Sequence, residues 1–278
     1  MPANDKSMTT LAATQRIAVV GTGKLARALA LSLPSVSVVA GRNAVDAASV
    51  ASLAVGARGC ALGEIASGGF DVLWITTSDA AIANVVDTLT QLPIEWNRIV
   101  AMHSSGAFGV AALEALSIRG ARVIALHPNA SLRGDAAIPI GTMWGVTPGD
   151  DDSLTFCEQL LSSLSPRVIA VREESRPLYH AAASVASNFS VTLYAIAELM
   201  YERAGIDPVR SRELIAPYML TSVMRANADG ANAALTGPVS RGDDVVIDAQ
   251  RAAISSNAPE LLDVFDALII ATRQLLAK

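Results

Sequence analysis

The chain holds three histidines, His103, His127 and His180. Imidazole has an ordinary pKa of about 6.5, which suits proton exchange near neutrality. His103 follows the apolar run RIVAM (98–102) and opens His103-Ser104-Ser105-Gly106, while His127 closes the run ARVIALH (121–127) ahead of Pro128-Asn129. His180 stands near the start of a segment, 177–197, that contains no Asp, Glu, Lys or Arg. On a helical wheel His180, Ser184, Ser187 and Asn188 share one stripe about 100° wide. Polar groups on an apolar, buried helix need partners, and a cofactor–substrate cleft would supply them. This pattern assigns proton exchange to His180 first and His127 second. Ser104 and Asn188 then orient a substrate that Ser105 and Ser184 help to bind. The plainer reading is that a strand-end histidine bonds a nearby carbonyl and helix serines bond back to preceding carbonyls. No carboxylate or cysteine falls at ligand spacing beside the histidines, so a metal site is not expected.

A second chemistry lies upstream. Gly21-Thr22-Gly23-Lys24-Leu25-Ala26 follows the run RIAVV (16–20) directly and opens an apolar-periodic helix. This is the G-x-G-x-x-A pattern in the strand–turn–helix setting that a dinucleotide requires. The first glycine permits the tight turn, the second lets backbone approach a diphosphate, and the alanine brings helix and sheet together. The N-terminus of the helix offers amide N–H groups and a partial positive charge. NAD enzymes usually carry Asp or Glu about 20 residues further on, but Arg42-Asn43 stands there. An arginine would meet the 2′-phosphate of NADP, with Lys24 helping, so NADP is expected ahead of NAD. Thr76, Thr77 and His103, at later strand ends, complete the expected cofactor contacts. The loop Leu235–Asp243 offers Arg241 to an anionic substrate, or is a turn with Asp243 or Asp244 capping the next helix.

These residues need a scaffold that gathers strand ends. Runs of strand length recur at 16–20, 36–40, 71–77, 98–102, 121–127, 142–147 and 166–171, most of them separated by helical patterns. Near-continuous apolar strands imply burial on both faces, as in a parallel sheet covered by helices. The predicted class is α/β, a doubly wound Rossmann-type sheet over 14–172. An all-helical domain over 173–278 follows, with helices at 175–204, 207–228, 243–257 and 259–277. Residues 1–13 read as a flexible leader. The polar groups within 177–197 argue for a buried helix in a soluble protein rather than a membrane span.

Composition removes other classes. There are 21 Lys+Arg against 26 Asp+Glu, a net charge of -5, and no basic run, which lacks the footprint of a nucleic-acid binder. At 51% hydrophobic residues the chain is not disordered. Two cysteines, Cys60 and Cys157, cannot make a disulfide framework, and a reducing cytoplasm is expected.

The string Tyr179-His180-Ala181-Ala182-Ala183 with Ser187-Asn188-Phe189, the Leu235–Asp243 loop, His103-Ser104-Ser105-Gly106 and His127-Pro128 resembles a bacterial group of Rossmann-like oxidoreductases. Their C-terminal helical domain has no known function. The resemblance runs from about Arg16 through nearly the whole chain. It is similar in architecture to pyrroline-carboxylate reductase, ketopantoate reductase, prephenate dehydrogenase and deazaflavin-dependent NADP reductases, within the 6-phosphogluconate dehydrogenase-like superfamily. The resemblance implies NADP binding and a homodimer built by the helical domain, but no particular substrate. Two departures stand out. Related enzymes use a lysine with a later asparagine on the first long helix of the second domain, where this chain has His180 and Asn188. Gln250 stands where many of the closer group carry histidine. The leading expectation is an NADP-dependent oxidoreductase acting on a small carbonyl, imine or hydroxy acid. The rival is a non-catalytic NAD(P)-binding module, a redox sensor or assembly partner.

Overall fold

A computed structural model describes residues 15–277; the expected leader lies outside them. The first strands and helices alternate: β1 (Ile17–Val20), α1 (Lys24–Ser32), β2 (Val36–Gly41), α2 (Ala44–Ala51), β3 (Arg58–Ala61), β4 (Val72–Ile75), α3 (Ile82–Thr90), β5 (Val100–His103), α4 (Glu114–Ile118) and β6 (Arg122–Pro128). Then come β7 (Met143–Thr147), α5 (Asp151–Leu160) and β8 (Arg167–Ala170). They form one eight-stranded sheet in the order β3-β2-β1-β4-β5-β6-β7-β8. Every neighbouring pair is parallel except β6 and β7, which run antiparallel with His127 opposite Gly145 and Pro128 opposite Trp144. The doubly wound, mostly parallel sheet read from the sequence is therefore present.

Alternate residues of the central strands serve two cores. Ile17 and Val19 pack with Leu29, Val50, Phe156 and Leu160 on one face. Ala18 and Val20 pack with Ile82, Val86, Leu89 and Leu116 on the other. Burying one such leucine or isoleucine contributes roughly 1.5–3 kcal/mol, and the double use explains the unbroken apolar runs. One strand escaped the sequence reading. β3 is Arg-Gly-Cys-Ala, of which Cys60 alone is buried, so no apolar run marks it. It exists because α2 lies directly on it: a Cβ at Gly59 would overlap the Ala47–Ala48 backbone.

The helices after the sheet are α6 (Arg176–Ala186), α7 (Asn188–Arg203), α8 (Pro208–Asp229), the short α9 (Ala231–Ala234) and α10 (Pro238–Arg241), α11 (Asp244–Asn257) and α12 (Leu262–Leu276). The chain divides by packing between Ser184 and Val185. The change from strand to helix comes earlier, near 172, but most of α6 stays with the sheet because Arg176 is bonded into it. Within the second unit α7 packs on α8, and α12 packs on α10 and α11. Asp207 caps α8 through the amides of Val209 and Arg210. Asp243 caps α11 through Val246, as the turn reading of that loop required.

Two helical expectations are corrected. The span 175–204 is not one helix; it is interrupted by a turn at Ser187 (φ -113, ψ -74), which separates α6 from α7. The run is also not buried among the described residues: Leu178, Phe189 and Val191 are 77%, 55% and 71% exposed. Among the described residues, no helix is long and apolar enough to cross a membrane.

Candidate active site

The turn after β1 is shaped by contact as much as by conformation. Gly21 has φ +131, and a Cβ there would stand 2.6 Å from Thr76 Oγ1. Its N–H donates to Ala40 O at 2.8 Å, and Thr76 Oγ1 donates to Val20 O at 3.1 Å. Gly23 is the opposite case, since among the described residues nothing lies within 4 Å of where its Cβ would stand. No side chain caps α1 and no acidic residue sits in its first turn. Its first amide N–H groups therefore face an open, anion-favouring space. Ala26 is fully buried between helix and sheet, Leu25 packs against the core, and Thr22 packs its methyl on Gly41. Lys24 and Arg42 are exposed beside the turn. Asn43 spends its carbonyl oxygen on Val45 N–H as the cap of α2. At the end of β4, Thr77 Oγ1 is buried with no partner among the described residues. An open glycine, an uncapped helix and an orphaned hydroxyl at adjacent strand ends fit a dinucleotide.

The connection from β6 to β7 runs back along α1. Arg27 Nε donates to Gly134 O at 3.1 Å, and Ile138 N–H donates to Ser32 Oγ at 2.8 Å.

The histidines divide into one that is committed and two that face each other. His103 is fully buried. Its Nδ1 accepts from Ser105 N–H at 3.1 Å and its Nε2 donates to Gly109 O at 2.8 Å. Both ring nitrogens serve the loop after β5, which leaves none for the cofactor contact expected of it. Burial lowers its pKa, in keeping with a neutral, structural ring. Ser104 and Ser105 are drawn into the same strand tips and loop. Ser104 Oγ donates to Leu126 O and accepts from Trp74 Nε1 at 2.7 Å, tying the tips of β4, β5 and β6. Ser105 Oγ accepts from the amides of Ala107 and Phe108.

His127 and His180 meet over Gly106. A Cβ on Gly106 would overlap His180 Nδ1 and stand 3.0 Å from His127 Nε2. The two rings are 5.6 Å apart between centroids and nearly perpendicular (87°). Burial, then the neighbouring His180 and then Arg176 push the His127 pKa down to about 4, so this ring is neutral at pH 7. His180 Nδ1 is buried without a partner among the described residues. Tyr179 lies against His127 from another side, its hydroxyl 3.1 Å from Nδ1. A Cβ at Gly145 would overlap that hydroxyl, so this glycine makes room for the phenol.

Arg176 anchors the assembly and was not foreseen. It is fully buried, yet its acceptors are all uncharged: Thr147 Oγ1 at 3.0 Å, Ser105 O at 2.7 Å, Ala125 O at 2.8 Å and Gly145 O at 3.2 Å. Thr147 Oγ1 in turn donates to Val171 O. One planar guanidinium thus gathers the β5 loop, β6 and β7 at the foot of α6, a geometry lysine cannot reproduce. Of the other expected substrate contacts, Ser184 lies on α6, whereas Asn188 and Arg241 lie in the second unit, at the start of α7 and the end of α10. Gln250 lines a cavity of about 450 Å³ in that unit, with Met200, Arg203, Asn257 and Phe265.

Residues 142–272, from β7 into α12, match the family model described as Domain of unknown function (DUF2520). Among curated proteins, no sequence matches the chain. Solved structures do. Protein TM1727 from Thermotoga maritima superposes with a TM-score of 0.72 at 23% identity, over 94% of this chain and 98% of that one. BF3122 from Bacteroides fragilis, provisionally named an NADP oxidoreductase, gives 0.75 at 18% identity, over 94% and 99%. A reductive aminase from Aspergillus terreus in complex with NADPH and ethyl-5-oxohexanoate gives 0.63 at 18% identity, over 94% and 95%. Likeness at such identities establishes the fold, in agreement with the architecture that the resemblance implied.

Proposed function

We propose that the chain is an NADP-dependent oxidoreductase that moves a hydride between the nicotinamide and a small carbonyl, imine or hydroxy-acid substrate. The observation that carries this reading is the open Gly23 beneath the uncapped start of α1, on the same sheet edge as the His127–His180 pair. Ligands of doubly wound sheets bind outside the carboxyl ends of the strands, where both features lie. A fold shared with a reductive aminase in complex with NADPH supports it. Gly21, Thr22, Gly23, Lys24 and the first amides of α1 would hold the diphosphate, with Thr76 and Thr77 alongside and Arg42 on the 2′-phosphate. The dinucleotide supplies the hydride when bound. The chain must then orient the substrate and manage one proton. His127 is neutral at pH 7 and serves as a fixed hydrogen-bonding group, which leaves His180 to exchange the proton. Arg176 holds the strand tips around both rings without touching the substrate itself.

Titration by nucleotide fluorescence tests this reading. NADPH is expected to bind at least tenfold tighter than NADH, since one charge-assisted contact is worth roughly 1.5–3 kcal/mol. Arg42→Asp should abolish that preference; equal weakening of both coenzymes would mean Arg42 never meets the phosphate. Oxidation of NADPH is then screened against aldehydes, 2-oxo acids and cyclic imines. Saturable binding with no turnover across the panel would convert the protein into a nucleotide-binding module, and no binding at all would end both readings.

A second copy of the chain is the proposed partner of the helical unit, and the cytoplasm, where the two buried thiols stay reduced, the proposed setting. Phe189, Val191, Tyr218, Leu220 and Met224 are apolar side chains left exposed among the described residues, which a second copy would cover. Light scattering is expected to return twice the chain mass, and a monomer at micromolar concentration would refute the pairing.

A further inference from the structure

The hydrogens around His127 follow from the chemistry of their partners. Met143 O can only accept, so the Asn129 side-chain atom facing it at 3.3 Å is the amide nitrogen Nδ2. The same nitrogen stands 2.6 Å from the Tyr179 hydroxyl and donates to its oxygen. The phenol has one hydrogen of its own, and its remaining contact is His127 Nδ1 at 3.1 Å. Were His127 Nδ1 the donor instead, the half-buried phenol would be left accepting twice, with no acceptor for its hydrogen among the described residues. Burial raises the Tyr179 pKa, so that hydrogen is retained through the neutral range. A nitrogen that accepts carries no hydrogen, so the neutral ring keeps its hydrogen on Nε2, the atom turned toward Gly106.

We propose that Tyr179, aimed by Asn129, locks His127 as the Nε2–H tautomer and so makes it a hydrogen-bond donor toward whatever binds over Gly106. The substrate atom it receives is then an acceptor, a carbonyl oxygen or an imine nitrogen, rather than a hydroxyl hydrogen. That consequence rests on the oxidoreductase reading; the tautomer does not. The charged and titratable groups around the ring agree with it. His180 and Arg176 oppose a second proton on His127, and Asp79, the one group that favours it, acts most weakly. Tyr179 is here a positioning residue, acting through His127.

The test is a long-range proton–nitrogen spectrum of the full, uniformly 15N-labelled chain, with His127 assigned by its loss in His127→Gln. In the wild type Nδ1 is expected at the pyridine-type end of the range and Nε2 at the pyrrole-type end, unchanged from pH 8 to pH 5.5. In Tyr179→Phe the pair should collapse toward averaged, mixed-tautomer shifts while NADPH affinity stays within about twofold. A pyrrole-type Nδ1 in the wild type, or a Tyr179→Phe spectrum identical to it, overturns the inference, and the wild-type measurement decides even if the variant misfolds. The expected spectrum in a protein that turns over no substrate keeps the lock and removes only the oxidoreductase reading. Turnover by a protein with the opposite tautomer does the reverse.

Discussion

Arg176→Met is expected to lower stability by about 3 kcal/mol, because it removes the guanidinium donors from three carbonyls at the tips of the sheet. Each buried carbonyl left unmatched costs roughly 1–3 kcal/mol, and the relief of no longer burying a charge offsets part of the sum. Ser105, Ala125 and Gly145 supply those carbonyls. Methionine replaces the aliphatic stem but none of the donors. For a chain of this size the loss corresponds to a fall of roughly 5 °C in melting temperature, read by circular dichroism. Arg176→Lys should fare little better, since one ammonium cannot span acceptors on separate strands. Melting at the wild-type temperature would show that water takes the place of the guanidinium, and that the arginine is not the fastener described here.

Gly106→Ala is expected to reduce turnover on the order of 100-fold while NADPH affinity changes by less than about twofold. The added methyl overlaps His180 Nδ1 and crowds His127 Nε2, so both rings must withdraw. A misplacement near 1 Å in a catalytic geometry costs about that much in rate. The dinucleotide turn, at Gly21 and Gly23, is untouched, which is why binding serves as the control. Rates of NADPH oxidation on the best substrate of the panel, beside the fluorescence titration, give both quantities. Wild-type turnover in this variant would remove the two imidazoles from the chemistry.

The sheet was legible because its central strands, such as β1 and β4, are buried on both faces and so read as unbroken apolar runs. β3 was not, because its burial is supplied by α2 pressing on Gly59, and a glycine beside an arginine carries no strand signal. The glycine turn was legible because its spacing and its strand–helix setting are local. The rest of the site divides by where hydrogen-bonding capacity is spent. His103 and Ser104 have the right chemistry, but the backbone of their own loop and the neighbouring strands engages it, and the amides of Ala107 and Phe108 take up the lone pairs of Ser105, which residue type alone does not reveal. Arg176 was missed for the converse reason. Its partners are carbonyls and a hydroxyl, so no acidic residue elsewhere in the chain announces it. Asn129 and Tyr179 meet across 50 positions of sequence, and nothing in that separation hints at contact. The polar stripe expected across His180, Ser184, Ser187 and Asn188 assumed one continuous helix; the break at Ser187 puts its last member on α7.

The one reversed strand has practical reach for anyone wishing to redesign selectivity. A wholly parallel sheet builds its ligand rim from strand exits alone. β7 instead begins at that rim and travels away from it, so Met143 and Gly145 stand beside Asn129 and His127. Sequence libraries confined to the histidines and the glycine turn would pass over these positions. Small changes at 143–145 should retune the imidazole from behind, without adding or removing a single group that a ligand meets.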